Sequence, residues 1–167
     1  MKKSNKERVY NVLDVSRYVI NYCNKNNYWV SNLKLQKILY FVQALFITTK
    51  GVECFIEEIE AWDFGPVIPE VYKEYRKYGG NNIPPITKYT DISKGVWNAV
   101  IKSFNWDSIC QNDRKLINQM IDVCNEFSSS ELVDITLNQK IWVVANKNIF
   151  NNIIQKKEIE KYFQGRI

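Results

Sequence analysis

The chain has 167 residues, 46% of them hydrophobic and 14% aromatic, with 23 basic against 18 acidic side chains and a formal charge of +5. That length is most economically one domain, and the apolar content excludes disorder for the bulk of it. Histidine is absent, which excludes a Ser-His or Cys-His dyad, a histidine-assisted zinc site and an imidazole base within the chain.

At the amino terminus Lys2, Lys3, Lys6 and Arg8 cluster with only Glu7 opposing. Four charges fall short of the blocks that mark interaction tails, so residues 1–10 read as a solvated, frayed arm and a nucleic-acid partner is not expected. No apolar run of signal-peptide length follows them, and Lys34 and Lys37 punctuate the most apolar stretch, so neither a secretory leader nor a membrane span is expected. Cys23, Cys54, Cys110 and Cys124 are scattered without C-x-x-C spacing and read as thiols of a reducing, cytoplasmic protein.

The periodicity of Val12, Val15, Val19, Tyr22 and Cys23 predicts a first helix capped by Asn11. Asn24 to Tyr28 is the connection. Ser31 then caps a long central helix, in which Leu35, Ile38, Leu39, Val42, Leu45 and Phe46 form the core stripe and Gly51 is the left-handed residue beyond its end. Lys34 at the third helical position denies Ser31 a capping box. From Val52 to Asp63 neither alternating face is cleanly apolar, and a short extended segment is predicted. Gly65-Pro66 reads as a turn, and Pro69 as the first position of a helix carrying Val71, Tyr75 and Tyr78 and stopped by Gly79-Gly80.

Asn81 to Tyr89, with Pro84-Pro85, is a loop within the domain. Asp91 or Ser93 is expected to cap a helix bearing Val96, Trp97, Val100, Ile101 and Phe104, and a further helix follows Asn112 with Leu116, Ile117, Met120, Ile121, Cys124 and Phe127 on one face. Ser128 and Glu131 have the spacing of a capping box. Trp142-Val-Val-Ala is ambiguous between strand and helix, and Lys156 to Phe163 reads as a last helix. The fold expected is therefore mainly α, a compact single-domain helical bundle over residues 11–167 with a small β element near residues 52–62.

Two groups of residues stand out as a candidate binding surface. Lys34, Lys37, Tyr40 and Gln43 interrupt the apolar stripe of the central helix, and Tyr40 with Phe41 makes that helix apolar over more than one face, which calls for a second partner inside or outside the fold. Trp62, Phe64, Gly65, Pro66 and Tyr72 place aromatic residues around a rigid turn, either as core anchors or as contacts. The acidic cluster Glu57, Glu58, Glu60 and Asp63 has no metal-ligand spacing and reads as a solvated edge. Trp97, Trp106 and Trp142 suit a core better than a stacking platform for bases. No catalytic residue, metal site or cofactor is expected, and the chain reads as a binding module, not an enzyme.

The stretches Leu33-Lys-Leu-Gln-Lys-Ile-Leu-Tyr40 and Glu60-Ala-Trp-Asp-Phe-Gly-Pro-Val-Ile-Pro69, followed by Tyr72, resemble the Panacea domain of bacterial and phage antitoxins. The resemblance runs from about Val12 to Trp142. The family's third feature departs here: after Ser130, Leu132 and Thr136, Leu137 replaces a histidine and Ile141 replaces the proline before Trp142. The resemblance implies an antitoxin that neutralises a toxin, encoded by the neighbouring gene, by direct protein contact at the two residue groups above. It also implies two alternatives: a phage-borne inhibitor of a host defence or nuclease complex, and an adaptor delivering a toxin to an ATP-dependent protease. The extra DNA-binding segment of many relatives has no room outside the matched region.

Overall fold

The computed structural model describes residues 8–166; Lys2, Lys3 and Lys6 of the basic amino-terminal cluster lie outside them. The fold is mainly α, with seven helices and two small antiparallel hairpins: α1 (Val12–Lys25), α2 (Asn32–Lys50), β1 (Glu60–Trp62), β2 (Gly65–Val67), α3 (Pro69–Tyr75), β3 (Lys88–Asp91), β4 (Val100–Ser103), α4 (Gln111–Asn125), α5 (Ser129–Leu137), α6 (Lys140–Asn146) and α7 (Lys156–Phe163). None of the described helices is long and apolar enough to cross a membrane.

The expected caps form. The Asn11 side chain accepts from the Leu13 N–H, that of Ser31 from the Lys34 N–H, and α2 ends on Gly51 in the left-handed conformation, φ 70°. Ser128 and Glu131 exchange both bonds of a capping box at the start of α5. Pro69 opens α3, whose fixed φ suits a first helical turn. These are local devices, satisfying backbone groups that a helix end leaves unpaired.

Helix α2 is the axis of the molecule. Fourteen of its 19 residues are buried, because α1, α3, α4, α5, α7 and β2 all pack against it. The apolar surface beyond one stripe is thus covered from within: Tyr40 and Phe41 meet Phe163 of α7, with ring centroids 5.8 and 6.2 Å away. A helix apolar on most sides is one buried on most sides.

Three expectations need correction. The β element begins at Glu60, not Val52, and Gly65-Pro66 is not the turn but the second strand; Asp63-Phe64 makes the turn, with Trp62 opposite Gly65. Residues 52–59 are instead irregular, with Phe55 bridging to Tyr10, so Tyr10 at the end of the basic arm is buried. The helix expected from Asp91 to Phe104 is a hairpin, β3–β4, turned at Gly95 with φ 91°. Its β-branched and aromatic residues satisfy either period when no neighbouring face selects one, and Trp97, expected in the core, is 99% exposed. The ambiguous Trp142 segment is helical, in α6.

Candidate functional site

Lys34, Gln36, Lys37, Tyr40 and Gln43 of α2 point into the protein. Lys34 donates to the Phe127 carbonyl at 2.9 Å. Gln36 accepts from the Ile68 N–H at 2.8 Å, and Lys37 donates to the Pro66 carbonyl at 3.0 Å. Tyr40 donates to Gln139 Oε1 at 2.5 Å. Gln43 accepts from the Cys54 N–H and donates to the Phe55 carbonyl, each at 2.8 Å. The ledge expected from Lys34, Lys37, Tyr40 and Gln43 is therefore not a surface: all four are buried. The peptide groups of Phe127, Pro66, Ile68 and the Cys54–Phe55 pair that face α2 take their partners from its side chains.

The second group divides. Gly65 and Pro66 are buried, whereas Phe64 is 68% exposed at the hairpin tip and Tyr72 of α3 is half-exposed beside it. Trp62 joins them, its ring 5.0 Å from that of Tyr72 in an edge-on arrangement, its indole N–H donating to Glu60 at 2.7 Å. With Leu33, Arg76 and Asn152 they line an open groove of about 730 Å³, walled at one end by Gly79 and Gly80. Asp63 and Arg76 are its charged rim, and neither has an ion-pair partner among the described residues. Aromatic residues in a concavity with a few polar groups suit recognition of a protein segment; no described group in it is arranged as a nucleophile with a base.

The groove is held rigid from behind. The hairpin's outer edge is closed by the carboxy-terminal segment, where the Ala61 N–H donates to the Asn152 carbonyl at 2.8 Å. On its inner side, a Cβ at Gly65 would lie 2.5 Å from Thr136 Oγ1 and 3.0 Å from both Cε and Nζ of Lys37, on a backbone with φ 95°. Both the close approach and the left-handed backbone require glycine. Gly65→Ala is accordingly expected to cost roughly 2–4 kcal/mol, from positive φ plus overpacking, read as a lower urea midpoint with an unchanged m-value.

Trp142 of α6 closes the assembly by donating its indole N–H to the Trp62 carbonyl at 3.1 Å. Lys37 of α2, the Trp62–Pro66 hairpin, Thr136 and Trp142 therefore converge on one place although they are distant in sequence. Leu137 and Ile141 are half-buried beside Thr136 and Trp142 in this end of the molecule. Arg76, Gly79, Gly80 and Asn152 were not legible as part of a site: the glycines carry only a helix-stop signal, and Asn152 reaches the groove through a pairing some 90 residues long-range. A separate concavity of about 570 Å³ between α6 and α7 contains none of the candidate binding residues, although Ile141 lines it.

A model of the family described as antitoxin SocA-like, Panacea domain, matches residues 35–143. That span takes in α2 from Leu35 onward, the hairpin, α3 and the Thr136–Trp142 support. Among curated proteins the chain is similar to antitoxin SocA of Caulobacter vibrioides (strain NA1000 / CB15N), with 40% identity over 67 residues, 40% of this chain and 36% of that protein. The matched stretch thus spans little more than a third of the relative's length. No solved structure gives a significant match. The family match covers well over half of the chain and takes in the hairpin and α3 that carry the groove's aromatic residues, and the chain belongs to the antitoxin SocA-like, Panacea domain family.

Proposed function

We propose that this protein is an antitoxin that neutralises a protein toxin by direct contact, and that the toxin seats in the groove formed by Trp62, Phe64 and Tyr72. The observation that carries the reading is Phe64: a large aromatic side chain is 68% exposed at the tip of a hairpin whose base is fixed by Lys37, Thr136 and Trp142. An exposed, rigidly mounted aromatic residue costs little entropy when it is covered, which is the profile of an interface anchor. The groove's unpaired Arg76 and Asp63 supply orientation on its rim. Membership of an antitoxin family makes a toxin the occupant to test first.

Co-expression with the product of the neighbouring gene, the first toxin candidate, tests this. Wild-type chain is expected to restore growth that the toxin alone suppresses. Phe64→Asp, at an exposed position, is expected to keep the fold and lose the rescue, with at least about 30-fold weaker binding for a hot-spot loss of 2 kcal/mol or more. Gly80→Leu gives an independent reading, because Gly80 lines the groove and a Cβ there meets nothing within 4 Å. Full rescue by both variants overturns the groove as the toxin site; no rescue by the wild type overturns the assignment to that toxin.

A further inference from the structure

The β3–β4 arm carries apolar side chains that the core does not use. Ile92, Val96, Trp97, Val100 and Ile101 are between 51% and 99% exposed. The first three stand on the connection that forms the arm's tip, and Val100 and Ile101 are consecutive in β4 and so point to opposite faces of the hairpin. The cluster is therefore open on every side, not along one face. At its base the arm is fixed to the body, where the Arg17 guanidinium stacks 3.5 Å from the centre of the Tyr89 ring. Its charges are mostly of one sign: Lys88, Lys94 and Lys102 are exposed, and the one acid, Asp91, is paired with Lys102.

We infer that the arm docks the protein on an anionic lipid surface, with its tip seated among the headgroups and the chain bound to the bilayer without spanning it. Three observations favour this occupant. A protein approaching one face of the hairpin leaves the other face wet, whereas a lipid surface closes around the tip from all sides. The side chains are those of such a boundary: tryptophan is favoured where headgroups meet hydrocarbon, and Trp97 at the tip is 99% exposed. The lysines are placed to meet lipid phosphates. Lys102 and Lys88 lie two and three residues behind the Asp91–Val100 pair, about 7–10 Å, which matches the ~5–10 Å that interfacial segments penetrate; Lys94, in the connection, reaches the same level by extending its stem. Insertion is shallow, because among the described residues the outer edge of β4 has no partner, and open peptide groups are tolerated among hydrated headgroups but not in hydrocarbon.

Co-sedimentation of the full chain with vesicles tests the inference, using phosphatidylcholine alone and an equal mixture with phosphatidylglycerol. The wild type is expected to pellet with the mixed vesicles, to partition at least about tenfold more weakly to phosphatidylcholine alone, and to be released as salt is raised from about 50 to about 500 mM. Trp97→Ser is expected to weaken partitioning at least about tenfold, with unchanged circular dichroism because the side chain it replaces is almost wholly exposed. The double variant Lys88→Gln/Lys94→Gln is expected to lose most of the preference for the anionic vesicles. A wild type that stays in the supernatant with mixed vesicles at low salt overturns the inference; weaker binding of a co-expressed toxin by Trp97→Ser in that case assigns the arm to a protein contact. Equal partitioning of wild type and Trp97→Ser, or of the wild type between the two lipid compositions, overturns it as well. The reading is separate from that of the groove, which lies on the other side of α3: Phe64→Asp is expected to sediment like the wild type.

Discussion

Lys37→Met is expected to reverse its effect on stability with pH: equal to or more stable than the wild type near pH 6, and less stable near pH 10. Lys37 is fully enclosed, and its ammonium meets the Pro66 carbonyl but no carboxylate. Burial lowers its pKa from 10.5 to about 7. Between those two values the unfolded chain binds the proton that the folded chain has released, so stability rises with pH across this window. Below pH 7 the ammonium is carried in both states and its burial weighs fully against folding. The shift corresponds to about 1.4 kcal/mol per pH unit, or roughly 5 kcal/mol across the window. The variant has no such slope, and loses instead the bond to Pro66, about 1–3 kcal/mol at every pH.

The wild-type curve alone does not isolate this residue. Burial pushes the thiols of Cys23 and Cys124 up to about 12 and that of Cys54 well above its ordinary value, and raises the Tyr40 and Tyr75 hydroxyls as well. Above pH 9 these groups hold protons that the unfolded chain has lost, and stability falls with pH through them. They are the same in both proteins, so the difference between urea denaturation curves of wild type and Lys37→Met, taken from pH 6 to 10, reports Lys37. Parallel curves over that range would mean that the ammonium is not desolvated. The residue also bears on the groove: its amine is one of the supports of the hairpin that presents Phe64, and toxin binding should weaken in the variant even at a pH where its overall stability is unchanged.

The second large effect is expected at Asp113. Its carboxylate, almost fully enclosed, accepts from the Tyr10 hydroxyl at 2.6 Å and from Lys50 Nζ at 2.7 Å. One side chain in the first turn of α4 thereby fastens the entry to α1 and the end of α2. Asp113→Ala leaves the Tyr10 hydroxyl and the Lys50 ammonium without their acceptor and should cost about 3–5 kcal/mol, measurable as a drop in the urea midpoint at pH 7. Burial alone would raise this carboxyl's pKa, but the bonds from Lys50, Tyr10 and the Cys110 side chain outweigh it and hold the value below the ordinary one. A depressed carboxyl contributes its stability above the unfolded pKa, near 4, and loses it as pH falls through the folded value. The gap between wild type and Asp113→Ala should accordingly narrow as the pH is taken below 4. A gap that persists unchanged in acid would show that packing, not the charge, is what Asp113 supplies.

The two predictions share an architectural origin. In most helical bundles polar residues of a central helix mark its solvent face. Here Gln36, Lys37, Tyr40 and Gln43 instead face the chain that wraps the helix, each supplying one or two bonds to Ile68, Pro66, Gln139 and the Cys54–Phe55 pair. That explains how a helix with so many polar residues can be buried, and why substitutions in it are expected to act on the groove from behind instead of from its surface.

Caps, stops and helical periods were legible from the residues alone. Asn11, Ser31, Gly51, Pro69 and the Ser128–Glu131 pair all act within one turn of themselves, and such short-range bonds are written in adjacent positions. The Panacea motifs, read together, led to the antitoxin family. Which way Lys37 and Tyr40 face was not legible, because it depends on α5, α7 and the hairpin arriving around α2, α7 from more than 100 residues away. The same holds for Val96 to Ile101, whose composition suits helix and strand alike until a neighbouring surface chooses, and here none does. Local bonding is encoded where it occurs; burial is a property of everything that packs around a residue, and it separated the exposed Phe64 and Tyr72 from the enclosed Lys37 and Tyr40.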